Sequence, residues 1–469
     1  MVLKGLSEAC ERILGLDKSS SVLCVSHDDA DGLTAGAIIY RALLREGLTP
    51  HLRCIKRLDL EFIQGVSAEE WSIFIFSDTG SGQLENFDKH ILEDRQVIIL
   101  DHHETTDYTH PNLTHVNPHL NGVDGAREVS GAGVSYLFAR ELNPDNRNLA
   151  HLALIGALGD VQDSQGGFSG HNKEIARDAV DAGLVLIEKD LRFFGRQTRP
   201  LYKAIEYTTE PFIPSLSGNE SACVQFLSDL DIPAKKNDRP TRLIDLTDDE
   251  KKKLTTALIL KMIEHKIDVK TAESIVGDTY TILSEKEGTI LRDAKEYTSL
   301  LNACGRYEKY GVGVGICLGD RGDALDSAMS LLEEHKRYIS SCYEWINKNL
   351  DSLVDAGEVY SIHAHGELSD TVVGTVASMI VNSQILNPVK PVIAFADSDD
   401  EVKVSGRATK ELVDKGVNLG HAMLYAAEKT GSEGGGHDIA AGAQVPHGRE
   451  DEFVKHINEK VREQLHGSG

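Results

Sequence analysis

The stretch VIILDHHE, Val97 to Glu104, decides how the first third of this chain is read. Four aliphatic residues run straight into Asp101, His102 and His103. The aliphatic run suits a short strand buried on both faces, as in a parallel sheet. The acid and the two imidazoles contribute nothing to such packing, so their presence asks for chemistry. The pattern recurs on either side. SVLCVSHDDADG (21–32) ends an apolar run in His27, Asp29 and Asp31, and WSIFIFSDTG (71–80) ends one in Asp78. NLAHLALIGALGD (148–160) reads as a helix ending in Asp160.

In an α/β sheet, ligands collect at the carboxyl ends of the strands. Carboxylates and imidazoles converging there repel one another unless cations sit between them. Mixed Asp/His ligation suits a borderline divalent ion such as Mn²⁺, with Mg²⁺ as the alternative, better than Ca²⁺ or an all-thiolate zinc site. Five or six ligands with several carboxylates suit two ions, which ~3.5–4 Å apart can clamp the attacking and leaving oxygens of a phosphoryl displacement. Asp29 and Asp31 are two apart, so on an extended chain they face one way. Gly32 permits a sharp turn, and the helix that follows aims its N-terminus at the site, where its dipole favours a phosphate. Taken singly, each piece has a plain structural reading: a solvated turn for the Asp pair, a helix N-cap for Asp78, a loop acid for Asp160, a core histidine for His102. Their conjunction in one 140-residue stretch is what points to a metal centre.

The bulk numbers are compatible with this. The chain has 469 residues, enough for two or three domains, with 41% hydrophobic and 26% charged residues. No run of about 18 apolar residues suggests a membrane span. The amphipathic start, MVLKGLSEACERILGL, is interrupted by Glu8 and Glu11 and does not resemble a signal peptide. Seven scattered cysteines without a CxxC pair fit a reducing, cytoplasmic setting. A net charge of −25 argues against a nucleic-acid coat protein, but not against an enzyme whose metal ions carry the positive charge.

Along the chain, residues 1–195 read as a parallel-sheet α/β domain, 196–337 as a mostly helical inserted region and 338–469 as a smaller α/β domain. Residues 180–206 read as one long helix bearing Arg192, Arg196, Arg199 and Lys203 near helical spacing, a row able to line a strand groove. Thr247 and Glu250 have the spacing of a capping box, and YGVGVGICL reads as a strand. In the last module SEGGGHDIAAG reads as a glycine-rich loop. Backbone N–H groups of Gly434, Gly435 and Gly436 can approach an anion, His437 adds a donor and Arg407 can fork onto a phosphate. No GK[ST] follows, so this is not a P-loop.

HDDADG, FSD, DHH and ALGD, in that order, resemble motifs I to IV of the DHH phosphoesterase superfamily, and VSGR with EGGGHDIAAGA resembles its DHHA1 substrate domain. The resemblance implies that Asp29, Asp31, Asp78, His102 and Asp160 are metal ligands, with Asp78 bridging two ions. It adds His27 as a further ligand. His103 resembles the residue that contacts the scissile phosphate or supports a ligand, and Asp101 would orient an imidazole from behind. The long middle region resembles archaeal RecJ-like single-strand exonucleases of the GINS-associated group. That resemblance implies a metal-dependent exonuclease on single-stranded DNA or RNA in replication or repair, with GINS and replicative helicase components as partners. The alternatives are a small-substrate phosphodiesterase, acting on nanoRNA, cyclic dinucleotides or bisphosphorylated nucleotides, and a non-enzymatic replication scaffold.

Overall fold

Five parallel strands form the first sheet: β1 (Ser21–His27), β2 (Thr49–Ile55), β3 (Ile73–Ser77), β4 (Gln96–Leu100) and β5 (Leu113–Val116), in the order β2-β1-β3-β4-β5. The computed structural model describes residues 3–467 apart from 237, 371, 383–385, 387–388 and 399–400. Helices α1 (Leu6–Leu14) and α2 (Ala30–Arg45) pack on one face, α3 (Leu60–Ser67) and α4 (Leu84–His90) on the other, and α5 (Gly131–Leu142) and α6 (Ala150–Gly159) return to the first. Both faces are covered, so the central strands carry continuous apolar runs with no polar alternation. This strand order reverses direction between β1 and β3. Such a switch point opens a crevice at the carboxyl ends of those strands, and motif I and Asp78 lie at that place.

The chain divides into two compact units, Met1–Leu332 and Glu333–Gly469. Within the first, the stretch 180–206 is not one helix. Helix α7 (Gly170–Asp181) ends, β6 (Val185–Leu191) follows, and only α8 (Leu201–Glu206) is helical again. VLIEKDL after Gly183 carries the β-branched Val185 and Ile187, residue types that suit a strand. Next come α9 (Glu220–Asp229), a two-residue hairpin of β7 (Lys235–Lys236) and β8 (Arg239–Pro240), α10 (Asp248–Glu264) and α11 (Val269–Glu273). β9 (Val276–Ile282) then pairs antiparallel with β6. The capping box forms: Thr247 Oγ1 accepts from Glu250 N and Glu250 accepts from Thr247 N.

The middle region divides between two cores. Leu201, Ile205, Leu254, Leu258 and Met262 form a core of their own. After β9, helices α12 (Ala294–Arg306) and α13 (Tyr310–Cys317) bury Tyr297, Leu301, Cys304 and Ile316 in the core of the parallel-sheet domain. YGVGVGICL is therefore helical, not a strand. Gly313 lies where the helix meets α2: a Cβ there would come within 2.8 Å of Leu33.

The second unit begins within helix α14 (Asp323–Asn349). Its six-stranded mixed sheet contains β10 (Val354–Asp355), β11 (Tyr360–His363), β12 (Val392–Asp397), β13 (Val402–Arg407), β14 (Glu433–Gly436) and β15 (Ala440–Val445), in the order β10-β11-β12-β13-β15-β14. Helix α15 (Val373–Asn382) packs on one face. Helices α16 (Lys410–Asp414), α17 (Leu419–Thr430) and α18 (Glu450–His466) pack on the other. No helix among the described residues is long and apolar enough to cross a membrane. All seven cysteines are free thiols, six of them buried.

Where the two cores of the first unit meet, Glu296 is buried and accepts from Gln197 N at 2.8 Å and from the Thr198 hydroxyl. Burial and the neighbouring Asp293 charge raise its carboxyl from 4.5 to about 7. The folded chain thus keeps a proton that the unfolded chain loses near pH 4.5, so stability falls as pH rises from about 4.5 to 7. Glu296→Gln is expected to remove roughly 2–3 kcal/mol of that loss. Urea unfolding at pH 5 and pH 8 measures it: the wild-type decrease should flatten in the variant.

Candidate metal centre

The strand register sets the site. Ser26 is opposite Ser77, Ser77 opposite Leu100, and Leu100 opposite Val116. The next residue on each strand therefore forms a row across the sheet: His27, Asp78, Asp101, Asn117. Asp78 is in the left-handed region (φ 56°), a sparsely populated conformation for a non-glycine residue that turns the chain sharply at the strand tip. Asp29 caps α2 by accepting from Gly32 N at 2.9 Å. Asp31, fully buried, accepts from Gly131 N at 2.7 Å and Ala132 N at 3.1 Å, the first turn of α5. Asp160 stands at the C-terminal cap of α6, where the helix dipole disfavours a carboxylate. A position so unfavourable locally is expected where function requires it.

Three groups of ligand-type atoms result, His27/Asp29/Asp78, Asp31/His102/Asp160 and Asp78/Asp101/His102/His103, each with its atoms within 4.8 Å of one another. Asp78 lies between the first two. Its Oδ2 is 3.8 Å from His27 Nδ1 and its Oδ1 is 3.2 Å from His102 Nε2. His102 Nε2 is also 3.3 Å from Asp160 Oδ2 and 3.9 Å from Asp31 Oδ2. His102 Nδ1 lies 2.7 Å from the Gly125 carbonyl, which can only accept, so that nitrogen holds the proton. In a neutral ring the Nε2 lone pair then faces carboxylate oxygens with no donor between them, the arrangement of a metal-ligating imidazole.

Electrostatics tests whether a cation fits. Asp78 Oδ1 is buried without a hydrogen-bond donor. Burial, then the charges of Asp31, Asp29, Asp160 and Asp101, push the Asp78 carboxyl well above the usual carboxylate range. Burial and Asp31 raise Asp160 as well. Burial alone would lower His27, but the hydrogen bond and charge of Asp29 outweigh it and raise the imidazole to about 9. The metal-free cluster thus holds protons to limit its own repulsion. Divalent cations would relieve the same charge, and the donor set, carboxylate and imidazole, suits Mn²⁺ or Mg²⁺.

Asp101 and His103 stand apart from the first two groups in role. Asp101 accepts from His103 Nδ1 and His102 N, both at 2.8 Å, and from Ser81 N at 2.9 Å. Although burial opposes it, the bond to His103 keeps Asp101 ionised well below the usual range, and the same bond raises His103. Asp101 thus orients His103, whose side chain is 58% exposed and free to meet a substrate.

Residues 21–157 match the DHH family N-terminal domain, 193–276 the DHH-CID domain and 358–463 the DHHA1 domain. An uncharacterised protein of Methanocaldococcus jannaschii, MJ0831, is 34% identical over 447 residues, covering 94% of this chain and 93% of that protein. The chain belongs to the DHH–DHHA1 phosphoesterase superfamily. Exonuclease RecJ bound to manganese superposes with a TM-score of 0.61 at 18% identity, over 98% of this chain and 95% of that one. CDC45 from Entamoeba histolytica superposes with a TM-score of 0.69 at 12% identity, over 98% and 100%. At these identities the likeness is one of fold.

Several residues that shape the DHH site escaped the reading of motifs. Gly125 fixes the His102 tautomer. Ser81 and Asn117 form a buried network under the triplet: Asn117 Nδ2 donates to Ser81 Oγ and to the His103 carbonyl, both at 2.9 Å. Asn302 of α12 accepts from Ala30 N, between Asp29 and Asp31. None has a local sequence signal, because each is joined to the site only by folding.

The expected basic row does not exist. Arg192 pairs with Asp163 at 2.6 Å. Arg196 is buried between Asp190 (2.8 Å) and Asp293 (3.3 Å), and Lys203 bridges Glu206 and Glu220. Arg192, Arg196 and Arg199 lie in the turns between β6 and α8, so the helical spacing that would align them is lost. In the DHHA1 domain, the glycine-rich stretch is not a loop: Gly434, Gly435 and Gly436 belong to the edge strand β14. The His437 and Asp438 carbonyls accept from Gly420 N and Leu419 N at the start of α17. Arg407 is half-buried and donates to Ser378 Oγ at 3.1 Å and Ser405 Oγ at 3.0 Å. Among the described residues no carboxylate pairs with it.

Proposed function

We propose that this DHH phosphoesterase is a divalent-metal-dependent exonuclease that hydrolyses the phosphodiester bonds of single-stranded DNA or RNA, with two Mn²⁺ ions, or Mg²⁺, as its metals. One observation carries the reading: at a switch point Asp78 groups with His27 and Asp29 and also lies 3.2 Å from His102 of the group with Asp31 and Asp160, the donor set of a paired-ion centre. His27, Asp29 and Asp78 would hold one ion, and Asp31, His102 and Asp160 the other, with Asp78 common to both. Ions bound there supply Lewis-acid activation of water and neutralise phosphate charge. Asp101 holds His103 where it can donate to a phosphate oxygen. Arg407, with Gly434 to Gly436 and His437, supports the reading of the DHHA1 domain as the part that grips the substrate. Its half-buried guanidinium carries a charge that no described carboxylate neutralises. By resemblance to the GINS-associated group, we infer replication proteins, GINS and helicase components, as partners.

Single strands labelled at either end, incubated with the protein and Mn²⁺, test the activity. Release of mononucleotides is expected. No release with any divalent ion would overturn the proposal, and cleavage confined to dinucleotides would favour a small-substrate phosphodiesterase. Arg407→Ala is expected to weaken substrate binding about 10- to 100-fold, the loss of charged hydrogen bonds, while bound-metal analysis shows no change.

A further inference from the structure

We propose that Phe194, Arg199 and Tyr207 form a surface platform that holds one phosphate and the flanking bases of a single-stranded nucleic acid. This rests on the exonuclease reading but concerns a part of the chain outside the metal centre and the DHHA1 domain.

The Arg199 guanidinium lies 4.7 Å from the centre of the Phe194 ring and 4.9 Å from that of Tyr207. Both rings are exposed, Phe194 by 36% and Tyr207 by 56%. The turn is shaped around the arginine: Gly195 has φ +86°, and a Cβ there would strike Arg199 Cδ and Cγ at 2.4 Å. Every other cation of this segment is neutralised, Arg192 by Asp163, Arg196 by Asp190 and Asp293, Lys203 by Glu206 and Glu220. Among the described residues no carboxylate forms an ion pair with Arg199. The acid that feels its charge, Glu296, is already engaged by Gln197 and Thr198.

Stacked against two rings, the guanidinium keeps its in-plane N–H groups for a planar or tetrahedral anion. The remaining aromatic surface suits bases, because base–aromatic stacking tolerates any sequence. An anion between two aromatic surfaces is the chemistry of a phosphate between two unpaired bases. An acidic peptide would satisfy the arginine but not both rings. The platform is also well placed for a strand leading to the DHH cluster. Residues 197 and 198 contact Glu296, and motif I contacts Asn302, on the same helix α12. Six residues of helix rise about 9 Å, so a strand reaches from one to the other within a few nucleotides.

The test measures binding in EDTA, so that it does not depend on hydrolysis. Fluorescein-labelled oligothymidylates from 2 to about 20 nucleotides are titrated with the full chain and followed by anisotropy. Phe194→Ala, Arg199→Gln and Tyr207→Ala are each expected to weaken binding of the long strands roughly 5- to 100-fold. The dinucleotide, too short to span both places, should bind the variants as it binds the wild type, and Tyr207→Phe should keep wild-type affinity. Arg199→Gln should also lower the salt dependence, by about 0.7 in the log–log slope for one phosphate on a single strand. Thermal melting confirms that the variants are folded. Unchanged long-strand affinity in all three variants would overturn the proposal and leave the surface to a protein partner. Equal loss on the dinucleotide would place the residues in the metal-centre subsite and also overturn it. Absence of hydrolysis by a chain that still shows the variant-sensitive binding would refute the exonuclease reading alone.

Discussion

Asp78→Asn should leave hydrolysis of labelled single strands at least about 10³-fold below wild type, a loss of roughly 4 kcal/mol in transition-state stabilisation. Asp29→Ala and Asp31→Ala should each lose less. The ordering follows from geometry. Asp78 faces both His27 and His102 and so stands between the two ligand groups, whereas Asp29 and Asp31 each serve one. The same change should have the opposite sign on stability. In metal-free protein the buried Asp78 carboxylate faces like charges, and its Oδ1 has no donor. Asparagine tolerates the left-handed backbone at φ 56°, and its amide can donate toward His102 Nε2. In EDTA the variant is therefore expected to be more stable by ~1–3 kcal/mol, read as a rise in melting temperature. Asp31→Ala should instead destabilise, because Gly131 N and Ala132 N lose their acceptor. A fall in metal-free stability of Asp78→Asn would contradict the charge-repulsion account of the cluster.

Gly156→Ala should also be damaging, by a purely steric route. Gly156 lies where α6 presses on α2 and α5. A Cβ there would stand 2.3 Å from Asp31 Oδ1, 2.6 Å from Ala132 Cβ and 2.6 Å from Thr34 Oγ1. None of the three can swing away: Asp31 is held by two backbone N–H groups, and Thr34 Oγ1 donates within its own helix. The helices must separate, at a cost of about 1–3 kcal/mol, carrying Asp31 away from Asp160. A ligand displaced by ~1 Å is expected to lower hydrolysis about 100-fold even where the protein is folded. Circular-dichroism melts with the strand assay separate the two effects. Gly131→Ala, whose Cβ would come within 2.5 Å of Asp78 Cβ and Oδ1, should behave alike.

Some of this was legible in one dimension because it is local. An aliphatic run ending in an acid or imidazole is read directly from SVLCVSH, WSIFIFS and VIIL, and a fully apolar strand implies a sheet covered on both faces. The parallel-sheet domain, the capping box at Thr247 and Glu250 and the clustering of Asp and His at element ends follow from such patterns. The readings that failed were those in which a local pattern has two solutions. VLIEKDL can lie on a helix or a strand, and β9, 85 residues further along at Val276, decides for the strand. YGVGVGICL is apolar throughout, and it is helical, with Gly313 making room for the approach to α2. EGGG is a strand because β15 lies beside it.

The amino-acid sequence by itself determined which residues carry charge at strand tips, since burial periodicity and residue chemistry are properties of neighbouring positions. Only the tertiary structure decided that Asp78 stands between two ligand groups, that Gly125 directs His102 and that the row of arginines is dispersed among acids. Those outcomes depend on strand order, on register and on helices meeting at glycines, and such contacts join residues up to some 270 positions apart, as Ala30 and Asn302 are.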